Sequence, residues 1–275
     1  MSAGGDGVVV RWHVDHPAQG LVLVKVGEPI YSLAHDADRD ALLVGTGSGR
    51  LVVIDLARER EVQVAQVHQK GIFRIVPHHQ NGFLCAGGDG VMSVWRWSSD
   101  GAISIHQERS ISLCAEKLRD IAVLRGSDHI AIACGDGAVR VLEAVSFNET
   151  YRMDGHTDGA YAVCQHATKP VLLSGGKDGE LKVWRTDGSL LHTAPAHKGS
   201  VYVITTDPGG RWLLTAGRDA LVNVWDAGTL EPVIRSQRDR DGHTHSVNAA
   251  VWCGDLLITA SDDRRIRSWR IPPEI

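Results

Sequence analysis

Seven times along the chain, at intervals of 41 to 47 residues, a short apolar run follows a Gly/Asp/Ser turn, and in five of the seven a Trp stands at one fixed position. The runs are VVVRW ending at Trp12, LVVI at Ile54, VMSVW at Trp95, VRVL at Leu142, LKVW at Trp184, LVNVW at Trp225 and IRSW at Trp269. A period of this length marks a repeat architecture, in which each unit is one small sheet that cannot bury its faces alone. Whatever the chain does, it does on a scaffold of stacked sheets.

The polar residues keep the same period. Six positions before the Trp lies an acidic residue (Asp6, Asp89, Asp178, Asp219, Asp263), and ten before it a hydroxyl (Ser2, Ser174, Thr215, Thr259). Further upstream stand His68, His156, His197 and His243, the last three as GH, AH and GH dipeptides. Chemically these residues form a chain. A buried indole N–H needs an acceptor, a hydroxyl both accepts and donates, and an imidazole bridges a hydroxyl to a carboxylate. His156/Ser174/Asp178/Trp184, His197/Thr215/Asp219/Trp225 and His243/Thr259/Asp263/Trp269 are complete sets, while His68/Cys85/Asp89/Trp95 puts a thiol in the hydroxyl's place. A hydrolase triad of Ser, His and Asp would not be repeated three times at this period and tied to Trp, so no catalytic residue is assigned.

With these residues the sequence resembles the WD40 family, whose repeat runs GH, a strand, Ser/Thr, Asp, then Trp; only Trp225-Asp226 keeps the literal WD pair. Its closest likeness is to stand-alone bacterial members. The resemblance implies an all-β, seven-blade β-propeller and a single domain over residues 1–275, with the His, Ser/Thr, Asp and Trp of each repeat buried between the strands of one blade.

Each unit reads as four antiparallel strands, a to d. In the best-formed one SVYVITT (200–206), WLLTAG (212–217), LVNVW (221–225) and EPVIRSQ (231–237) are separated by the turn-forming DPGG, RDA and DAGT. The units at Ile54 and Leu142 are degenerate, with Ser48 for the Asp in one, Ile132 for the hydroxyl in the other and no His in either, so they are expected to pack on hydrophobic contacts alone. At the N-terminus Ser2, Asp6 and Trp12 fit a third strand and LVLVKV (21–26) a fourth, while residues 246–271 supply only strands a to c. The count is six a–b–c units plus an N-terminal c–d remnant. Met1 is then expected to be an internal methionine of a longer repeat, with about 30 residues missing before it. The alternative is a six-blade ring in which LVLVKV closes the last blade and the first residues hang outside. Exposed strand edges in the incomplete blade would invite self-association.

Composition adds exclusions. A net charge of -4 gives no nucleic-acid footprint, no apolar run approaches a membrane span and no signal peptide opens the chain. Five scattered Cys without a CxxC pairing read as reduced thiols of a cytoplasmic protein. GTGSGR (45–50) resembles a phosphate loop, but a strand follows where a helix is needed. His78-His79 and His243/His245 lack a third ligand at a recognisable spacing, so neither a metal nor a cofactor is assigned. RSQRDRDGHTH (235–245) reads as a charged connection between units.

Function is therefore sought on the surface. Five residues after the His position, at the start of strand a, stand Tyr31, Phe73, Arg119, Tyr161, Tyr202 and Asn248; the chain has four Tyr and three Phe, and four of those seven fall here. In the family this position commonly points to the channel rim that docks partners, and Lys177 and Arg218 would lie on the same face. Aromatic rings interleaved with Arg and Lys have the composition of a binding hot spot. The expected function is a non-catalytic scaffold that binds a protein or peptide on this rim. The alternatives are that the rings merely plug the channel, or that a small-ligand binder or enzyme uses its mouth.

Overall fold

The computed structural model of the protein describes residues 1–271 except 14–15, 80, 238–239 and 241, with Pro17 and Ala18 described as backbone only. All regular structure among these residues is strand, and no helix is long and apolar enough to cross a membrane. Part of the 235–245 connection lies outside the described residues.

The strands form seven antiparallel sheets. The first holds β1 (Ser2–Ala3), β2 (Val8–His13) and β3 (His16–Lys25). The second holds β4 (Ile30–Asp36), β5 (Ala41–Thr46), β6 (Arg50–Asp55) and β7 (Arg60–Gln66). The third holds β8 (Ile72–His78), β9 (Gly82–Gly87), β10 (Val91–Trp97) and β11 (Ile105–Ser112). The fourth comprises β12 (Leu118–Leu124), β13 (His129–Cys134), β14 (Ala138–Glu143) and β15 (Glu149–Asp154). The fifth comprises β16 (Ala160–Gln165), β17 (Val171–Gly176), β18 (Glu180–Arg185) and β19 (Leu190–Pro195). The sixth comprises β20 (Val201–Thr206), β21 (Trp212–Gly217), β22 (Val222–Asp226) and β23 (Pro232–Arg235). The seventh has β24 (Val247–Cys253), β25 (Leu256–Ser261) and β26 (Ile266–Arg270). Within each sheet the strands pair in chain order, so every connection is a hairpin.

The packing separates into two units, Met1–Asp120 and Ile121–Ile275. In both, the core lies between consecutive sheets. Leu43, Leu51 and Val53 of the second sheet meet Ile75, Phe83 and Trp95 of the third. In the second unit Leu173, Leu181 and Val183 meet Ile204, Leu213 and Trp225. Middle strands are covered on both faces and read as continuous apolar runs: all six residues of β5 and of β21 are buried. Outer strands such as β7 and β11 are mostly exposed and polar.

The four strands read in the 200–237 unit are all found, the fourth shortened to Pro232–Arg235, while one expectation and one alternative are corrected. The first sheet has a strand before the Trp12 strand, the two-residue β1, pairing Ser2 with Val10 and Ala3 with Val9, so it is more than a c–d remnant. The segment LVLVKV falls at the end of the longer β3, which pairs with β2 as the expected fourth strand and not with the seventh sheet. That pairing rules out the six-blade alternative: VVVRW does not hang free but lies in the middle strand of the first sheet, a sheet additional to the other six. Hydrogen bonding decides it, because β2 could not leave this sheet without orphaning its backbone.

Candidate functional site

The Asp of each repeat builds its turn. Its carboxylate accepts from the backbone N–H two residues on, as Asp178 does from Glu180 at 3.1 Å, Asp219 from Leu221 at 3.1 Å and Asp263 from Arg265 at 2.9 Å. The same carboxylate takes the N–H of the residue after the His, from Thr157 at 3.0 Å, Lys198 at 3.0 Å and Thr244 at 3.1 Å. It finally meets the imidazole Nδ1: His156 at 3.0 Å, His197 at 2.8 Å and His243 at 2.9 Å.

On the other side of each imidazole, Nε2 meets the hydroxyl of Ser174 at 2.7 Å, Thr215 at 2.9 Å and Thr259 at 2.8 Å. The indole N–H groups of Trp184, Trp225 and Trp269 donate to those same oxygens at 2.7, 3.0 and 2.8 Å. Only one proton arrangement satisfies every group. The indole N–H donates to the hydroxyl oxygen, the hydroxyl donates to Nε2, and Nδ1–H donates to the carboxylate. That arrangement requires a neutral imidazole.

Electrostatics agree. Burial holds His156 and His68 below the ordinary imidazole value, outweighing the pull of Asp178 and Asp89. Burial works to raise the carboxyls of Asp89, Asp219 and Asp263, but their hydrogen bonds from backbone N–H and imidazole keep them below the usual carboxylate value. The consequence for stability has a definite sign. The unfolded chain's His titrates near 6.5 and the buried ones lower, so as pH falls the unfolded state takes up protons first. Stability from these two groups is full above that pH and is lost as pH falls through the folded values. Melting curves at about pH 8 and about pH 5.5 should show a lower melting temperature in acid, and His156→Gln should flatten the dependence.

The His68 set differs from its expected composition. The hydroxyl comes from Ser93, whose Oγ lies 3.0 Å from His68 Nε2 and accepts from Trp95 Nε1 at 2.9 Å. Ser93 stands directly across the sheet from Cys85, so a side chain from the partner strand fills the same space. The Cys85 thiol is fully buried and burial raises its pKa, leaving it a packing group. The degenerate sheets are also corrected, for they carry ion pairs and do not rest on apolar contacts alone. Arg140 grips Asp136 at 3.1 and 2.6 Å and lies 3.4 Å from Glu149, while Arg50 pairs with Glu28. Burial works to raise Glu28, but hydrogen bonds from Ser48 and Arg50 hold its carboxyl below its usual value. In the first sheet Trp12 donates to Ser2 at 2.8 Å and remains 38% exposed.

At one end of the sheets a recurring backbone bond positions the remaining candidates. The residue before the turn Asp, or its equivalent, donates its N–H to the carbonyl two residues before the aromatic position. These bonds are Gly47 to Pro29, Gly88 to Gly71, Lys177 to Gly159, Arg218 to Ser200 and Asp262 to Ser246. They set Lys177 beside the start of β16 and Arg218 beside the start of β20, both exposed.

In the first unit Tyr31 stacks on Phe73 with ring centroids 5.4 Å apart, and Arg119 lies over Phe73 at 4.4 Å with Lys117 at 5.8 Å. Tyr31 is 52% exposed and its ring packs over Gly71, where a methyl group would stand 2.6 Å from the ring. Glycine there lets the aromatic settle on the sheet end without tilting into solvent. In the second unit Tyr161 stacks on Tyr202 at 6.0 Å, with planes 19° apart. Asn248 donates to Asp262 at 2.5 Å, and Lys177 lies 3.8 Å from Asp158. The six positions therefore fall into a Tyr31/Phe73/Arg119 group, a Tyr161/Tyr202 group and Asn248 bound to its own sheet. Lys117 is a member that the repeat position alone did not single out; its place two residues before Arg119 is the only signal in the sequence.

The other motifs are absorbed locally. GTGSGR spans the end of β5, its turn and the start of β6. His78 and His79 pack ring against ring, 3.9 Å between centroids, and His243 is committed to Asp263 and Thr259.

The family model described as "WD domain, G-beta repeat" matches residues 147–185, 188–226 and 235–270. Telomerase protein component 1 of Mus musculus is 31% identical over 160 residues, 54% of this chain and 6% of that protein. Kinesin-like protein KIF21A of Homo sapiens is 28% identical over 196 residues, covering 68% of this chain and 11% of the relative. Serine-threonine kinase receptor-associated protein of Homo sapiens is 27% identical over 139 residues, covering 50% and 39%. The chain thus spans only a small part of the first two relatives and well under half of the third. Among solved structures, a chain of the crystal structure of the mitotic checkpoint complex superposes with a TM-score of 0.84 at 18% identity, covering 96% of this chain and 84% of that one. This likeness carries the fold: seven small sheets arranged as a seven-blade β-propeller.

Proposed function

We propose, from the premise that this chain belongs to the WD40-repeat β-propeller family, that it is a non-catalytic scaffold which binds a protein or an extended peptide on the propeller's rim. The observation that carries the proposal is the pair of stacked aromatic groups. Tyr31/Phe73 with Arg119 and Lys117, and Tyr161/Tyr202 with Lys177 and Arg218 in the same sheets, leave Tyr31 exposed and the other three rings partly so, beside the exposed cations Lys117, Lys177 and Arg218. Such rings bury large area on binding at low entropic cost. The eye-catching His, Ser, Thr and Asp side chains are committed to the sheets and are unavailable for acid–base or nucleophilic work.

The relatives support the same class. One is named for association with a receptor and the solved neighbour is a chain of a multiprotein complex. The cations at both groups favour a partner segment carrying carboxylates. A cytoplasmic site of action, with the five cysteines outside any disulfide, belongs to the same reading. Affinity capture from the source organism's lysate, comparing the unaltered chain with Tyr161→Ala/Tyr202→Ala, tests it. A protein retained by the first and lost by the second is expected; equal retention by both contradicts the rim reading.

A further inference from the structure

Five residues after the aromatic position the chain reaches the far end of the first strand of its sheet. In the fourth sheet that residue is Leu124, which is buried in one core with Ala131, Leu172 and Trp184. In the fifth it is His166, buried as well. Its Nδ1 accepts the N–H groups of Thr168 and Lys169 at 3.2 and 3.0 Å, and its Nε2–H donates to the Ala227 carbonyl of the sixth sheet at 2.8 Å. Each of these side chains closes the corner between its own sheet and the next.

The second sheet has Asp36 at this position. Its carboxylate does the local half of what His166 does, accepting the N–H of Arg39, three residues on, at 3.1 Å, and being shorter it stops there. Arg39 makes the crossing instead: it pairs with Asp36 at 3.1 Å, donates to Asn81 and lies over the Trp97 ring at 5.2 Å. The corner itself stays open as a cavity of about 310 Å³. Leu43, Pro77, Phe83 and Trp97 are its apolar lining, with His35, Asp38 and His79 beside them. The apolar walls are those that Leu124 covers in the fourth sheet. Leu43 and Ala131 hold the same register position, one residue after the partner of Ile54 and of Leu142, while Phe83 and Leu172 stand opposite Trp95 and Trp184.

Charge narrows the occupant. Asp38 lines the cavity, Asp40 follows Arg39, and both are exposed. Neither forms a salt bridge among the described residues, because the one cation of this hairpin, Arg39, is taken by Asp36. Two open carboxylates beside an apolar cavity favour a cation next to the side chain that fills it. The exposed leucines of this chain, Leu21, Leu190 and Leu191, have no Lys or Arg beside them in sequence, so a second copy is a poor occupant.

We infer that this corner is a second docking site, at the opposite end of β4 from Tyr31 and separate from the rim, and that it takes a leucine side chain of a partner polypeptide with lysine or arginine on either side. The leucine lies on Leu43 and Phe83 as Leu124 lies on their equivalents, and the flanking cations meet Asp38 and Asp40. Arg39, held by Asp36, Asn81 and Trp97, is a wall already in place before binding, which lowers the cost of ordering the site.

The test uses the full chain and a fluorescent nine-residue peptide with Lys-Leu-Lys at its centre, read by anisotropy. Serine in place of the peptide's leucine should weaken binding at least about tenfold, and so should glutamate in place of both lysines. Asp36→Leu, which brings to the second sheet the residue that closes the corner in the fourth, should lose the peptide by a similar factor. Tyr161→Ala/Tyr202→Ala should bind it as the unaltered chain does. If Asp36→Leu fails to fold, the peptide series on the unaltered chain and Asp38→Lys/Asp40→Lys, at two exposed positions, still decide. The inference is overturned by no binding of the parent peptide, by equal binding of the serine peptide, by full binding to folded Asp36→Leu, by loss of binding in the rim variant, or by a dimer that Asp36→Leu abolishes.

Discussion

Ser174→Ala is expected to destabilise the protein by about 2–4 kcal/mol, measured by chemical denaturation, although it removes a single oxygen. That oxygen accepts from Trp184 Nε1 at 2.7 Å and lies 2.7 Å from His156 Nε2. Ser174 and the imidazole are buried, so both partners lose their contact where water cannot replace it. Each orphaned polar group costs about 1–3 kcal/mol. Ser174→Thr should recover most of the loss, because Thr215 and Thr259 make the same two contacts in the next sheets. Failure of Thr to rescue would mean that packing, not the hydroxyl, was lost.

Gly179→Ala should cost about 3 kcal/mol by the same assay. Gly179 sits at φ +78°, and a methyl there would overlap the carbonyl oxygen of His197 and approach that of Gly199 at 3.0 Å. Those atoms cannot move freely, since the N–H groups of Ala196 and His197 both donate to the Gly179 carbonyl at 3.0 Å. The equivalent residue of the sixth sheet is Ala220, at φ 69°. There the outgoing chain closes two residues later, through Ser236 N–H to the Val222 carbonyl at 2.9 Å, which leaves room for the methyl. Ala at 220 and Gly at 179 are therefore consequences of where the exit strand attaches, and the substitution should be far costlier at 179 than the native Ala is at 220.

The fold was legible because period and polarity coincide. Trp at a fixed position gives the repeat, and Asp six residues earlier is a turn-former whose second duty is to hold the His. What could not be read lay across strands. Ser93 replaces the expected hydroxyl because it faces Cys85, a relation that depends on register and not on spacing from Trp95. Arg140 stands opposite Ile132 at the register position that Lys182 holds opposite Ser174, so a cation and its carboxylates take the place of the missing hydroxyl set. The two-residue β1 is too short to leave a periodic signal. Of the candidate site, the aromatic position was readable from its constant offset after the His. Which rings stack, and that Lys117 joins Arg119 over Phe73, follow from strand placement that no single repeat encodes.

The division between architecture and recognition is tested most directly by measuring two quantities on one variant, Tyr161→Ala/Tyr202→Ala: the melting temperature and the retention of the partner captured by the unaltered chain. Both rings lie at a sheet end, partly exposed and outside the polar sets. The expected result is a melting temperature close to that of the unaltered chain together with loss of the partner. A marked fall in melting temperature with the partner still retained by the folded fraction would make the rings a plug in the scaffold and contradict the account.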